Sequence, residues 1–240
     1  MTKLDQEALP NKSMLIQAES LSVGYSKDQP IVKDINLILE IGKNYALTGG
    51  NGSGKTTLFK TLTGLLPALN GKLNIESRES ISYVPQSKKL QLHFPLSVKE
   101  VLSMPYKSFF PLSSSITDSV WWNELIALSE LEPILSKQIS ECSGGQLQKV
   151  LIIRALLSKA KLVFLDEPMD ALDHLARKSF QEILALYRER CQASLFFITH
   201  NLNYDWKDGF AEVFEIDQGR FFHLSKGDKP NDCEHNDGSH

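Results

Sequence analysis

The chain has 240 residues, of which 42% are hydrophobic and 23% are charged, and its formal net charge is −3 at pH 7. This length fits one domain, or one domain with a substantial subdomain, and suffices for a hydrophobic core. The charge balance argues against nucleic acid as a partner. Three widely spaced cysteines favour a reducing compartment over a disulfide framework. The sequence contains no apolar run near the roughly 20 residues of a membrane span, so we expect a soluble chain unless a partner holds it to a membrane.

The first third of the chain is predicted to be mostly strand, and both ends of the chain are polar. Residues 1–13 and 226–240 are polar, and we predict flexible tails there, on either side of a domain at 14–225. A helix is expected at residues 55–65, with Leu58, Leu62 and Leu65 on one face. The first strands should form an antiparallel portion of the sheet, and the strands predicted up to residue 85 are 14–23, 31–39, 43–48, 72–75 and 81–85.

The segment from residue 87 to residue 142 differs in character, because glycine is absent and helical patterns appear. Ser97 and Glu100 match a capping box, which predicts a helix start. Trp121, Leu125 and Leu128 recur at helical spacing and indicate a second helix. We therefore predict an inserted helical subdomain at about 87–142.

The last third alternates helical patterns with short apolar runs. The runs at 162–165 and 195–198 are continuous, as expected for parallel strands buried on both faces. Helical periodicity precedes the first run and separates it from the second, and residues 212–216 and 221–224 are expected to form a hairpin. The chain is therefore predicted to have an α/β fold with a mainly parallel sheet.

Residues 49–57 form the motif G-x-x-x-x-G-K-[ST], which is typical of loops that bind nucleotide phosphates. Glycines let the backbone curl around an anion, and the following helix N-terminus adds partial positive charge. Lys55 can reach the β- and γ-phosphates, and the Thr56 hydroxyl can bind Mg²⁺. The predicted nucleotide-binding residues of this loop are Gly49, Gly50, Asn51, Gly52, Ser53, Gly54, Lys55, Thr56 and Thr57.

Asp166 and Glu167 follow the apolar run at 162–165. A buried parallel strand delivers them to the carboxyl edge of the sheet, where the phosphate loop is also expected. There Asp166 can hold Mg²⁺ through water, and Glu167 can act as general base on the attacking water. Taken alone, the pair has a plain alternative, an acidic turn after a strand.

Ser143, Gly144, Gly145 and Gln146 precede a predicted helix. Ser143 and the amides of both glycines would cap that helix, and a helix N-terminus is a ready anion site. The sequence S-G-G-Q, between a phosphate loop and a strand ending in Asp-Glu, resembles the signature of the ABC-transporter ATPase family. That signature usually begins with Leu where this chain has Cys142, at which we expect a packing role.

The resemblance implies ATP and Mg²⁺ as cofactors and gives roles to four further residues. Tyr25 is similar to the aromatic residue that stacks on adenine, and packing at a strand end is the alternative. Gln86 is similar to the residue that touches Mg²⁺ and the attacking water. His200 would hydrogen-bond the γ-phosphate and orient the base. Asp173 resembles the residue of a loop that crosses between subunits, and it can also cap the next helix.

The family also implies partners. Two copies, or this chain and a related cassette, would pack head to tail, with residues 143–146 acting on the ATP held by the other subunit. Without a predicted membrane span, a transport role requires permease subunits, which would hold the chain at the cytoplasmic side of the cell membrane.

Residues 83–86 and 94–104 resemble the zinc/manganese importer branch, where a Phe-Pro-hydrophobic-[ST]-Val stretch follows the glutamine. This implies import of zinc or manganese and an extracytoplasmic metal-binding protein in the same system. Cys233, His235 and His240 are residue types that bind such metals, or they are ordinary residues of a solvated tail. The alternatives are an ABC ATPase for another cargo, such as an iron chelate or an exported solute, and one without a transport role. A small kinase would leave residues 143–146 unexplained.

Overall fold

A computed structural model of the chain describes residues 13–87, 95–104, 119–199 and 209–224. His200, Cys233, His235 and His240 lie outside these ranges. The predicted tails also lie outside them, apart from Ser13, so these expectations stay predictions.

Nine described strands form one sheet. They are β1 (Met14–Val23), β2 (Val32–Glu40), β3 (Asn44–Thr48), β4 (Asn70–Ile75), β5 (Ile81–Val84), β6 (Leu162–Asp166), β7 (Ser194–Ile198), β8 (Glu212–Asp217) and β9 (Arg220–Leu224). Their order across the sheet is β4-β1-β2-β9-β8-β3-β7-β6-β5. The strands predicted from the sequence are all found, within about two residues at each end.

The sheet has a parallel core and an antiparallel portion. Strands β5, β6, β7, β3 and β8 are parallel neighbours, and every residue of β3, β6 and β7 is buried. Strands β1, β2 and β4 pair antiparallel, and β8 and β9 form the predicted hairpin. One parallel pair, Lys33 with Arg220, joins the two portions. The mainly parallel core and the N-terminal antiparallel portion are therefore confirmed.

Five described helices accompany the sheet. They are α1 (Lys55–Leu62), α2 (Val98–Ser103), α3 (Val120–Ser129), α4 (Gly144–Leu157) and α5 (His174–Cys191). Ser97 and Glu100 form the predicted capping box at α2, and both α2 and α3 pack on α4. Among these described helices, none combines the length and apolar character that a membrane span requires.

Two apolar cores lie on opposite faces of the sheet. Along β6, Val163 and Leu165 contribute to one core, whereas Leu162 and Phe164 contribute to the other, because successive side chains of a strand point to opposite faces. The second core holds α1 in place. The Phe59 ring lies 4.9 Å from the ring of Phe164 and 4.8 Å from that of Phe196. The helix that follows the glycine loop is thereby fixed against β6 and β7.

Two positions predicted to lie on buried helix faces are exposed. Leu65 is 60% exposed because α1 ends at Leu62, with Thr63 as its C-cap, before the predicted third turn is complete. Leu128 is 44% exposed although Trp121 and Leu125 are buried as predicted. Ile126 is buried instead, so the apolar face of α3 is rotated from the one that the spacing suggested.

Candidate active site

The glycine loop lies between β3 and α1, and its backbone depends on positive φ angles. Gly49 has φ 135°, and a Cβ there would lie 2.3 Å from the carbonyl oxygen of Ile216. Gly54 has φ 111° and forms the N-cap of α1. An L-residue with a side chain is strained in this region of φ. The loop therefore needs glycine both for its conformation and for its close approach to β8.

Lys55 is directed back into the loop. Its Nζ donates hydrogen bonds to the carbonyl oxygens of Gly49 at 2.7 Å and Gly50 at 2.8 Å, and the residue is buried. The ammonium group is thus placed inside the curl of the backbone. An anion entering this loop would meet a positive charge together with the amides of the α1 N-terminus.

Asp166 ends β6, and two hydroxyl groups converge on its carboxylate. Thr56 Oγ1 donates to Asp166 Oδ2 at 2.9 Å, and the Tyr83 hydroxyl donates to the same oxygen at 3.1 Å. Asp166 itself is buried. A hydroxyl and a carboxylate oxygen held side by side beside a phosphate loop are the donor types that Mg²⁺ prefers.

Glu167 has an unusual backbone for a non-glycine residue, with φ 48°. Its N–H donates to the carbonyl oxygen of Ile198 at 3.1 Å, which anchors this turn to the end of β7. The Gln86 side-chain amide donates a hydrogen bond to Glu167 Oε2. Left-handed φ costs free energy in such a residue, so the surrounding contacts hold this side chain in a defined direction.

Several of these groups line one cavity. It has a volume of about 280 Å³, and its lining includes Tyr25, Ile31, Glu167 and the loop from Asn51 to Thr57. Tyr25 is 67% exposed, so its ring is available to a ligand and is not packed into the core. Two larger surface pockets lie elsewhere, against β2 and β9 and against β1 and β2, and neither contains a residue of the glycine loop. The small cavity is therefore the candidate site.

Ser143 and Gln146 form a capping box at the start of α4. Ser143 Oγ accepts from the Gln146 N–H at 3.2 Å, and Gln146 Oε1 accepts from the Ser143 N–H at 3.1 Å. Nothing lies within 4 Å of a Cβ built on Gly144, whereas one on Gly145 would lie 3.1 Å from the carbonyl oxygen of Ala171, so this end of α4 is open at Gly144. Cys142 packs, partly buried, against the helical core, and burial raises the pKa of its thiol. This agrees with the packing role expected for position 142.

Asp173 is the N-cap of α5, where its carboxylate accepts from the Ala176 N–H at 2.8 Å. The loop before it is pinned: Met169 and Leu172 are buried, and Arg177 Nε donates to both of their carbonyl oxygens, at 3.2 Å and 3.0 Å. The helix-cap alternative for Asp173 is thus realised.

Most of the predicted site residues are brought together, but one group is not. Tyr25, residues 51–57 and Glu167 meet at the cavity, with Gln86 and Asp166 in hydrogen-bond contact with them. Among the described residues lining this cavity, none belongs to the segment 143–146. His200 follows the last described residue after β7 and is outside the described part of the chain.

Two residues of the site were missed by the sequence analysis. Tyr83 reaches Asp166 because β5 and β6 are parallel neighbours in register, with Tyr83 opposite Phe164. Arg177 reaches the loop at 169–172 from the first turn of α5. Arg177 belongs to no recognised motif, and the stretch 83–86 was noted for its resemblance to an importer branch without a role for Tyr83. The one available signal was for Tyr83, a tyrosine on an apolar strand that runs beside the strand ending in Asp-Glu.

Comparison with known proteins agrees with this geometry. Residues 32–170 match the model of the ABC transporter family. The zinc import ATP-binding protein ZnuC of Rickettsia bellii is 30% identical over 191 residues, which cover 80% of this chain and 78% of that protein. ZnuC of Vibrio vulnificus strain YJ016 is 33% identical over 191 residues, which cover 80% of this chain and 69% of that protein. A solved ATP-binding subunit of an ABC transporter has a TM-score of 0.76 at 26% identity, over 88% of this chain and 91% of that one.

A phosphate loop and an Asp-Glu strand end on a mainly parallel sheet define a P-loop nucleoside triphosphatase. The chain belongs to the ABC transporter family, as one of its ATP-binding subunits. It is an ATPase.

Proposed function

We propose that this chain powers the import of a divalent metal ion, zinc or manganese, by hydrolysing ATP. The observation that carries the choice of cargo is the similarity to ZnuC proteins, at 30–33% identity over about four fifths of the chain. The proposed system includes permease subunits and an extracytoplasmic metal-binding protein, with this chain at the cytoplasmic side of the membrane. The hydrolytic role rests on the cavity that joins Tyr25, the glycine loop and Glu167.

In the proposed reaction, Tyr25 stacks on adenine and the glycine loop holds the phosphates. Lys55 neutralises charge on the β- and γ-phosphates. Glu167 accepts a proton from water as the water oxygen attacks the γ-phosphorus, and the bond to the bridging oxygen of ADP breaks. Gln86, which donates to Glu167, keeps the carboxylate aimed at that water. His200 is proposed to donate to the γ-phosphate.

Mg²⁺ would be held by Thr56 and Asp166, with Gln86 near its water shell. The Thr56 hydroxyl and the Asp166 carboxylate are 2.9 Å apart and present oxygen atoms, which fits the ion. Within the described ranges, no cluster of three His, Cys, Asp or Glu side chains is arranged as a metal site. That also fits, because Mg²⁺ is usually bound through one or two carboxylates and the substrate phosphates. The ion would neutralise negative charge developing on the phosphate oxygens.

A second copy is proposed to complete the site. Ser143, Gly144, Gly145 and Gln146 stand at the N-terminus of α4, which is open at Gly144 and would present backbone amides and dipole charge to an anion outside its own chain. In a head-to-tail pair this end would face the γ-phosphate held by the partner's loop. Asp173, at the start of α5, would lie where the two copies cross. ATP binding would then close the pair and move the permease.

Metal uptake by cells that lack this chain tests the proposal. Deletion of its gene is expected to abolish high-affinity uptake of radioactive zinc or manganese, and to slow growth in chelator-treated medium. Added zinc or manganese should restore growth. Re-expression of the wild-type chain should restore uptake, and Glu167→Gln should not.

Glu189→Gln is the matched control, because Glu189 is exposed on α5 away from the cavity, and it should restore uptake as the wild type does. Restoration of growth by iron chelates alone would contradict the metal assignment and favour the alternative cargo. Unchanged uptake of both metals after deletion would also contradict it.

A further inference from the structure

Gln148 is a buried polar residue in the second turn of α4, and no motif of the site includes it. It is 1% exposed. Its Oε1 accepts a hydrogen bond from the backbone N–H of Ser87 at 3.2 Å, across 61 positions of sequence. Ser87 is also buried, and it directly follows Gln86. The contact therefore joins the segment that carries Gln86 to the helix that begins after Ser143.

Each end of this contact leads to a different part of the hydrolytic machinery. On one side, Gln86 donates to Glu167. On the other, Gln148 lies two residues after Gln146, whose side chain closes the capping box with Ser143. Glu167, Gln86, Ser87, Gln148 and the α4 N-terminus thus form one continuous path of covalent bonds and hydrogen bonds within a single chain.

The chemistry of Gln148 argues against a role in filling space. Gln148 is buried on a helix whose neighbouring positions Leu147 and Leu151 belong to the apolar core. Its Nε2 is buried and finds no acceptor among the described residues. A half-satisfied buried amide costs free energy that an apolar side chain of the same length would not. What glutamine supplies here, and methionine would not, is the acceptor for the Ser87 N–H.

We infer that Gln148 is a positioning residue that fixes the Gln86 segment to the signature helix. The inference rests on the proposed roles of Gln86, Glu167 and residues 143–146. With the link intact, Gln86 can point at Glu167 only when α4 occupies a matching position. Hydrolysis is then confined to the arrangement in which the α4 N-terminus is set for the partner's nucleotide. Gln148 itself touches neither nucleotide nor water.

Replacement of Gln148 by methionine tests the link, because it keeps length and bulk and removes the acceptor. Site-resolved hydrogen exchange should show the Ser87 amide exchanging at least about tenfold faster, with the α4 amides unchanged. The kcat for ATP should fall by at least about tenfold, while the affinity for a fluorescent ATP analogue should change less than about twofold. Gln148→Glu, which keeps an acceptor, should recover part of the lost kcat.

Two further variants distinguish loss of the hydrogen bond between Gln148 and Ser87 from a general loss of stability. Val150→Ala opens a cavity on the same helix without touching the link, so it should lower stability and leave kcat within about twofold. Gln86→Ala combined with Gln148→Met should be no slower than Gln86→Ala alone, because both act through one segment.

The outcomes are distinguishable. Normal kcat in Gln148→Met beside an inactive Glu167→Gln would overturn the inference and leave the proposed function standing. An equal loss of kcat in Val150→Ala would overturn it too. Full turnover in Glu167→Gln would overturn the proposed site, and the role of Gln148 with it.

Discussion

Thr56 Oγ1 lies 2.9 Å from Asp166 Oδ2, and this hydrogen bond ties the end of the phosphate loop to the end of β6. The two residues are 110 positions apart in the chain. The Tyr83 hydroxyl meets the same oxygen from β5. One carboxylate thus joins the first turn of α1, the strand that precedes Glu167 and the strand that leads to Gln86. The orientation of this carboxylate should therefore govern how the site accepts a metal–nucleotide complex.

Tyr83→Phe removes the hydroxyl that donates to Asp166 and keeps the ring. Groups that orient a metal-binding carboxylate typically contribute tenfold or more to metal affinity. We expect roughly a tenfold rise in the Mg²⁺ concentration needed for half-maximal ATP binding, with affinity for ATP in EDTA unchanged. Equilibrium binding of a fluorescent nucleotide across a Mg²⁺ titration measures both quantities.

Tyr187→Phe is the control for the Tyr83 variant. This substitution also removes a hydroxyl hydrogen bond, which Tyr187 donates to the carbonyl oxygen of Ala160 at 2.6 Å. That bond is buried beneath α5, and Tyr187 does not line the cavity. Its loss should lower stability by about 1 kcal/mol and leave the Mg²⁺ titration unchanged. Equal titrations for Tyr83→Phe and the wild type would contradict the role given to Tyr83.

Gly49→Ala should destabilise the fold severely. The new Cβ would lie 2.3 Å from the carbonyl oxygen of Ile216, and φ of 135° is strained for alanine. We expect a loss of about 3 kcal/mol or more in the free energy of unfolding, measured by urea titration. Gly42→Ala separates strain from clash, because Gly42 has φ 80° with nothing within 4 Å of a Cβ. The free energy of unfolding of Gly42→Ala should fall by only about 1 kcal/mol. Similar losses in both variants would contradict the predicted clash between the Cβ at position 49 and the Ile216 carbonyl oxygen.

Asp173 combines a helix cap with a proposed contact between subunits, and two substitutions divide these roles. Asp173→Ala removes the acceptor for the Ala176 N–H and should cost about 1 kcal/mol of stability. Asp173→Asn keeps an acceptor and should retain stability. Because the carboxylate is proposed to contact the partner copy, both variants should lose roughly tenfold in ATP turnover. If ATP turnover falls in Asp173→Ala but not in Asp173→Asn, the contact between subunits is contradicted and Asp173 acts only as a helix cap.

The sequence was sufficient to predict the individual strands and the strand ends at which the motif residues lie. The glycine loop follows the short buried strand β3, and Asp166-Glu167 ends the apolar run of β6, so the pattern of parallel strands predicts that they meet at one edge of the sheet. The prediction that Leu65 lies on the buried face of α1 was wrong, because helical periodicity does not indicate the residue at which a helix ends. Thr63 and Gly64, with φ 77° at Gly64, end α1 first.

Contacts between a side chain and a distant group were not predictable in the same way. Tyr83 meets Asp166 only because β5 pairs with β6, and the order of strands follows from tertiary packing. Gln148 accepts a hydrogen bond from the backbone N–H of Ser87. Every residue except proline has such an N–H, so the sequence does not indicate which residue is the donor. Arg177 likewise binds backbone carbonyl oxygens.

The most direct measurement is steady-state ATP turnover by Glu167→Gln, with nucleotide affinity and oligomeric state recorded on the same preparation. Removal of a general base should lower kcat by about 100-fold to 10,000-fold, while ATP affinity stays near that of the wild type. With ATP bound and not hydrolysed, the variant should accumulate as a dimer, and Glu189→Gln should turn over normally as a monomer–dimer mixture. Turnover in Glu167→Gln equal to that of the wild type would contradict the assignment of Glu167, and with it the proposed mechanism.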